Sequence, residues 1–456
     1  MERIIKKIKD LLGFGQGHER TNRAKKNIIA SFIIRGFSIL IGIVLVPMTI
    51  HYINPTRYGV WITLSSIIGW FAFFDIGLGG GLRNKFAEAI SKDDTELART
   101  YVSTTYAILT IIIGIVFLLF LCVNPFLNWA KILNTTPEMA GELSILALIV
   151  FTFFSIRFVL QLITTVLNAD QRPAKASFFN VLGSVFSLIT IFILTKTTHG
   201  SLIYMGLALG FAPILVLTVS SIWFYNREYK RYRPSIKYVK FRYARDLMGL
   251  GVKFFVISIS SIFLYQSNNL IITQLFGPKE VTVYNIAYQY FGVIIMVFTI
   301  ITVPFWSAYP EAYFKRDYQW IRNSIKSLIK IWAAFLLLAI IMLIFSNIIY
   351  RFWVGSSIKV PISVSIVCAL YGAITTWSNI FFNVINGTAK IVLQLCLTLI
   401  VMIVNIPLAI FLAKYLNIGI SGVLLATCID SLLFVVIIPI QYKKIINDTA
   451  KGIWNK

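Results

Sequence analysis

Twelve apolar stretches, each close to the roughly 20 residues that carry an α-helix across a bilayer, constrain the fold of this chain more than any other feature. They run over 28–50, 59–78, 101–123, 144–167, 177–195, 202–224, 249–275, 284–309, 328–348, 360–384, 391–413 and 421–440. Backbone polar groups in hydrocarbon must be satisfied within the chain, so stretches of this length fold as helices. Only 13% of the 456 residues are charged, against about 25% in soluble domains. The expected fold class is an all-α polytopic membrane protein.

Lys and Arg total 42 against 18 Asp and Glu, a formal net charge of +24. Such an excess could serve nucleic acid, but its distribution argues otherwise. With the N-terminus inside, 31 of the 42 fall in the inside connections, 7 in the outside loops and 4 within the spans. Cytoplasmic loops carry this bias in membrane proteins, so both termini are expected inside, at the cytoplasmic face, and no nucleic-acid partner is needed. The longest connection, 225–248, holds eight Lys and Arg and suits anchoring on anionic lipid; contact with a cytoplasmic partner or with substrate phosphates is the other reading. The basic arm 1–27 opens with "RIIKKIKDLLGF", whose apolar positions fall on one helical face. It reads either as a helix on an anionic membrane surface or as a flexible arm.

An internal repeat organises the twelve spans. Residues 88–99, "EAISKDDTELAR", match 311–322, "EAYFKRDYQWIR", without a gap at Glu88, Ala89, Lys92, Asp94 and Arg99. The same offset carries Pro55 to Pro278. Six spans per half is an even number, so the halves insert with the same orientation, as in transporters that bind substrate between two parallel repeats. The expected architecture is two parallel-related six-helix lobes, 28–224 and 249–440, around a central cavity, with 225–248 as linker and 441–456 as a cytoplasmic tail.

Four cations fall within spans: Arg35, Arg157, Lys253 and Lys330. Such residues are costly in hydrocarbon and face cavities or pair with one another. Lys330 lies near the inside boundary and snorkels. Arg35 lies at a depth similar to Asp75 in the returning span, so a structural pair and a cavity lining both fit. Arg157 lies about eleven residues, roughly 16 Å, from the inside end of its span, and no acid shares its helix between Glu142 and Asp170. Asp430 has a similar depth in the other half; with Asp75 it is a candidate for ion coupling or structural pairing. Lys253 shares its span with the polar run "YQSNN", which includes Gln266, Asn268 and Asn269. A cationic lining suits an anionic passenger, because guanidinium grips phosphate oxygens and lysine offers a point charge. Amides would serve sugars. Arg35, Arg157, Lys253, Gln266, Asn268 and Asn269 are therefore the expected substrate-binding residues.

Cys122, Cys368, Cys396 and Cys428 show no paired spacing, and the three histidines are scattered, so no metal site or disulfide framework is indicated. The glycine runs "GFGQG" and "GLGGG" lack the Lys-Ser/Thr of a phosphate loop, and no cofactor is expected. The short outside loops hold few carboxylates, which argues against a glycosyltransferase or polymerase.

The passage "YGVWITLSSIIGWFAFFDIGLGGGLRNKFAEAI" (58–90), with "GPKEVTVYNIAYQYF" (277–291) and "VPFWSAYPEAYFKRD" (303–317), resembles the Wzx-type O-antigen repeat-unit flippases of the multidrug/oligosaccharidyl-lipid/polysaccharide exporter superfamily. The resemblance covers the whole chain. It implies a non-enzymatic flippase of the bacterial inner membrane, moving an undecaprenyl-diphosphate-linked oligosaccharide from the cytoplasmic to the periplasmic leaflet by alternating access through a cationic cavity. Proteins of polysaccharide assembly would be partners. A multidrug or cation antiporter of the same superfamily is the alternative; it requires intramembrane acids to outweigh bases.

Overall fold

A computed structural model describes residues 19–75, 77–248 and 266–455. Every regular element among them is helical. In chain order these are α1 (Glu19–Ile53), α2 (Pro55–Gly69), α3 (Leu78–Ser91), α4 (Thr95–Val123), α5 (Ala140–Leu160), α6 (Leu162–Ala169), α7 (Pro173–Thr197) and α8 (Leu202–Asn226). After the linker come α9 (266–276), α10 (Pro278–Phe314), α11 (Tyr318–Val354), α12 (Ile362–Gly387), α13 (Val392–Ile410) and α14 (Ile420–Ile446). Ten helical segments among the described residues are long and apolar enough to cross a membrane. The protein is therefore a multi-pass membrane protein.

Of the twelve expected spans, 144–167 is divided between α5 and α6 at Gln161, 391–413 ends in a π-helical turn, and two others depart further from a simple helix or fall outside the described residues. The stretch 59–78 is interrupted: α2 ends at Gly69, a 3₁₀ segment covers Trp70–Asp75, and Gly77 takes φ 75° before α3 starts. The Asp75 carboxylate accepts the Gly79 N–H at 2.9 Å and so caps α3, satisfying one of the donors that a helix start leaves open. The stretch 249–275 lies mostly outside the described residues, as do Lys253, Tyr265 and the arm 1–18. Within the linker, three 3₁₀ turns lie along the start of α4. Ser103 Oγ and Thr104 Oγ1 accept the N–H groups of Ser235 and Lys240 at 3.1 and 3.0 Å, and Arg99 lies over the Tyr238 ring at 4.1 Å.

The repeat visible in the sequence is a repeat of local structure. Lys92 pairs with Glu88 at 2.7 Å, and Lys315 with Glu311 at 2.5 Å. The next residues, Asp93 and Arg316, both take φ 57°. Asp94 then caps α4 by accepting Leu97 N–H at 2.9 Å, and Asp317 caps α11 by accepting Trp320 N–H at 3.0 Å. Pro55 and Pro278 each open a helix at its first position, where the missing N–H costs nothing.

Buried side chains form one core at one end of the molecule and two at the other. The shared core joins Val60, Leu64 and Phe151 of the first half to Ile272, Tyr284, Phe291 and Val423 of the second. At the opposite end, one cluster draws only on residues between Leu78 and Leu247, the other only on residues between Phe298 and Ile446. The same helices supply both levels: α5 gives Phe151 to the shared core and Phe158 to the first-half cluster, and α12 gives Ile374 and Ile380 in the same way. The halves are thus joined at the end where α2 and α10 begin and separately packed at the end carrying the repeat turns.

The join is close and polar. An added Cβ on Gly59 would lie 1.7 Å from the Pro278 carbonyl oxygen, so α2 and α10 cross where only glycine fits. Reciprocally, Thr282 Oγ1 donates to the Pro55 carbonyl at 2.6 Å. Residues 59 and 282, and 55 and 278, are related by the 223-residue repeat offset; each half offers its proline carbonyl to the other, the self-complementary contact a two-fold arrangement produces. Along α2 and α9, Thr63 and Thr273 hydroxyls meet at 2.6 Å. Asn269 Nδ2 donates to Ser66 Oγ at 2.8 Å, and Asn285 Nδ2 donates to Asn269 Oδ1 at 2.9 Å.

Two tests follow from this packing. Asp94→Ala and Asp317→Ala should each cost about 1 kcal/mol of stability, seen as a lower thermal midpoint in detergent, while asparagine at either position retains most of it. A Thr63→Cys, Thr273→Cys pair should cross-link readily under oxidation, and adding Gly59→Val should abolish the cross-link by driving α2 off the Pro278 carbonyl.

Candidate functional site

Beyond the joined end, the faces of α5–α6 and α12 that continue the buried ones carry polar side chains that are exposed or half-buried. On α5 and α6, Phe151, Ser155, Phe158, Leu162, Ile163, Val166 and Leu167 are buried. The opposite face carries Arg157 and Gln161, both exposed, then Thr165 and Asn168, both half-buried. Their spacing of 4, 4 and 3 residues keeps them on one helical stripe. The Arg157 guanidinium makes no hydrogen bond or ion pair among the described residues. Arg157 lies between Phe151 of the shared core and Phe158 of the first-half cluster, at the level where the single core divides.

The second half repeats this stripe. On α12, Thr375, Asn379, Asn383 and Asn386 are half-buried and follow the same 4, 4, 3 spacing. The register is set by the turns that follow: "NADQR" at 168–172 corresponds to "NGTAK" at 386–390, and Gln171 and Ala389 take φ 55° and 56°. Arg157 therefore corresponds to Thr375, Gln161 to Asn379, Thr165 to Asn383 and Asn168 to Asn386. Farther toward the joined end, the same face of α12 carries the buried Cys368 and Gly372. Its other side takes the Trp332 indole, which donates to the Ala373 carbonyl at 3.0 Å, and exposes Ile366 and Leu370. Asn383 Nδ2 donates to the Asn379 carbonyl at 2.8 Å. Asn386 Oδ1 is buried with no hydrogen-bond partner among the described residues.

The residues singled out in the sequence have diverse fates. Arg157 lies on the first stripe. Arg35 lies on α1, with its side chain outside the described set, and Lys253 lies outside it altogether. Gln266 is half-buried, 3.3 Å from where a Cβ on Gly69 would stand. Asn268 and Asn269 are 1% and 8% exposed, and the Asn269 amide is engaged by Ser66 and Asn285 in the seam between α2, α9 and α10. Asp75 caps α3. Asp430 is 6% exposed and accepts Asn405 Nδ2 at 2.9 Å between α13 and α14. Among the described residues, no group of His, Cys, Asp and Glu could hold a metal ion. The stripe on α12 went unnoticed in the sequence because single amides in an apolar helix carry no charge signal. The corresponding turns, aligned by their Asn, would have revealed it.

A family model described as "Polysaccharide biosynthesis protein" matches residues 24–310, well over half of the chain. The chain is 22% identical to a putative O-antigen transporter of Salmonella typhi over 65% of its own length and 66% of the relative's. It is 22% identical to a putative O-antigen export protein of Yersinia pseudotuberculosis over 78% and 81%. Among solved structures, an inward-facing multidrug resistance MATE family transporter of the MOP superfamily superposes with a TM-score of 0.75 at 15% identity, covering 92% of this chain and 98% of the other. The outward-facing conformation of a transporter so described gives 0.66 at 17% identity, covering 94% and 97%. A MOP superfamily transporter from Pyrococcus furiosus, reported with reversed polarity of its binding pocket, gives 0.64 at 16% identity over 94% and 97%. The resemblance carried by 58–90, 277–291 and 303–317 is thereby upheld: the chain belongs to the polysaccharide biosynthesis protein family and has the fold of the multidrug/oligosaccharidyl-lipid/polysaccharide exporter superfamily.

Proposed function

We propose that this chain is a flippase for an undecaprenyl-diphosphate-linked oligosaccharide, moving it from the cytoplasmic to the periplasmic leaflet of the bacterial inner membrane. The observation that carries this reading is Arg157: an exposed guanidinium without a protein partner among the described residues, at the level where one core becomes two. A permanent charge at that depth requires water or a counter-ion, and a diphosphate supplies the counter-ion in the geometry guanidinium binds best. The names of the Salmonella and Yersinia relatives support a polysaccharide-related cargo.

In this reading twelve spans form two parallel six-helix lobes, supported by the reciprocal proline contacts and by the repeated turns. The basic connections mark the cytoplasmic side by the charge rule, so both termini are cytoplasmic and the cleft between the separate clusters opens inward. The seam of Thr63, Ser66, Asn269, Thr273 and Thr282 is then the closed outer gate. Cargo enters with its diphosphate against the cationic lining, to which Arg35 and Lys253 would add, while its lipid chain stays in the bilayer. Rocking of the lobes breaks the seam and opens the outer side. A bound anion favours this step only so far as it binds the occluded state better than the open one.

A cation antiporter would need an accessible intramembrane carboxylate. Asp430 is instead buried beneath Asn405 and Asp75 is engaged at the start of α3, which favours the anionic cargo.

Arg157→Ala should lower delivery of lipid-linked glycan to the outer leaflet at least ten-fold, Arg157→Lys should retain an intermediate rate, and Arg157→Glu should abolish delivery, measured in cells at equal membrane expression. Normal delivery by the glutamate variant would overturn the anionic-cargo reading.

A further inference from the structure

The two corresponding stripes are alike in position and unlike in chemistry. The first begins with Arg157 and continues with Gln161, Thr165 and Asn168; the second begins with Thr375 and continues with three asparagines. Repeat halves that bound the same chemical group twice would carry a cation in both. Here the cation has a hydroxyl as its counterpart, and the second stripe holds no charge at all.

We infer that the stripe Thr375, Asn379, Asn383 and Asn386 on α12 is a carbohydrate subsite, separate from the phosphate subsite at Arg157. This rests on the flippase reading above. An amide offers both donor and acceptor, which matches sugar hydroxyls that donate and accept in turn. The stripe shows unused capacity: the Asn379 amide and Thr375 hydroxyl make no hydrogen bond among the described residues, Asn383 uses only Nδ2, and Asn386 Oδ1 is buried without a partner. A polar group left unsatisfied in a low-dielectric setting is costly, so a partner outside the described protein groups is called for. Lipid chains cannot be that partner. The stripe faces away from α11, whose Trp332 packs on the opposite side of α12 at Ala373 and Trp377, and from the exposed apolar Ile366 and Leu370. What remains is the strip of α12 between the side that meets α10 at Gly387 and the side that meets α14 at Phe382, which the flippase reading makes water-filled. From Thr375 to Asn386 the stripe rises about 16 Å at 1.5 Å per residue, long enough to meet several sugar rings in succession while Arg157 holds one end of the cargo.

The division is tested by binding to the purified full-length chain in nanodiscs with two probes: undecaprenyl diphosphate without sugar, and the undecaprenyl-diphosphate-linked glycan extracted from the strain that carries the chain. An Asn379→Leu, Asn383→Leu double variant should weaken the glycan-bearing probe at least ten-fold and leave the sugar-free probe unchanged. Asn379→Gln, which keeps an amide, should bind the glycan-bearing probe more tightly than Asn379→Leu. Arg157→Ala should weaken both probes. Equal loss of both probes in the asparagine variant, or no loss of either, overturns the carbohydrate subsite while leaving the phosphate reading intact. Failure of the unaltered chain to bind either probe overturns the flippase reading, and the subsite with it.

Discussion

The crossing of α2 over α10 is the contact on which the rest of this structure depends. Gly59 has no side chain, and so the Pro278 carbonyl can come within a distance that any Cβ would forbid. Thr282 stands at the corresponding place in the other half and reaches back to the Pro55 carbonyl. These two contacts hold the halves together at one end and fix the register in which Thr63 meets Thr273 and Ser66 meets Asn269. Each such hydrogen bond contributes only about 0.5–1.5 kcal/mol net, so the seam sets register while the shared core supplies apolar burial. Beyond it the two halves pack their own cores. Separately packed bodies joined at one end by a shared core and a polar seam are suited to move as units, because tightly packed cores shift between discrete arrangements more readily than they deform.

The same economy governs polar side chains at membrane depth. Hydrocarbon tolerates them only where something answers their hydrogen bonds. Asp75 is answered by the start of α3, Asp430 by Asn405, Asn269 by Ser66 and Asn285. The Arg157 guanidinium, the Asn379 amide and Asn386 Oδ1 lack such answers among the described residues, and Arg157 occupies the position in its half that Thr375 holds in the other.

Much of this was readable before any coordinate. Span lengths set the all-helical membrane fold, and the gapless match of 88–99 to 311–322 announced a repeat whose ion pair, left-handed residue and capping aspartate recur in space. Arg157 stood out because a charge in an apolar helix with no acid nearby is conspicuous. The interruption of 59–78 was not foreseen: "GWFAFFDIGLGGG" keeps the hydropathy of a span while Gly77 and the Asp75 cap break its helix. The polar run ending in Asn268 and Asn269 looked like cavity lining, since polarity inside a span indicates that something must be hydrogen-bonded and not what does the bonding.

The sequence by itself determined that the chain is an all-helical membrane protein and that 88–99 and 311–322 repeat one another. Those properties follow from composition and order along the chain, which need no knowledge of neighbours. Only the tertiary structure decided which polar residues pair across the halves and which stand open. Asn269 and Asn379 are chemically identical amides in apolar helices; one faces Ser66 and Asn285, the other finds no partner among the described residues. That difference arises from where helices distant in sequence approach and where they diverge.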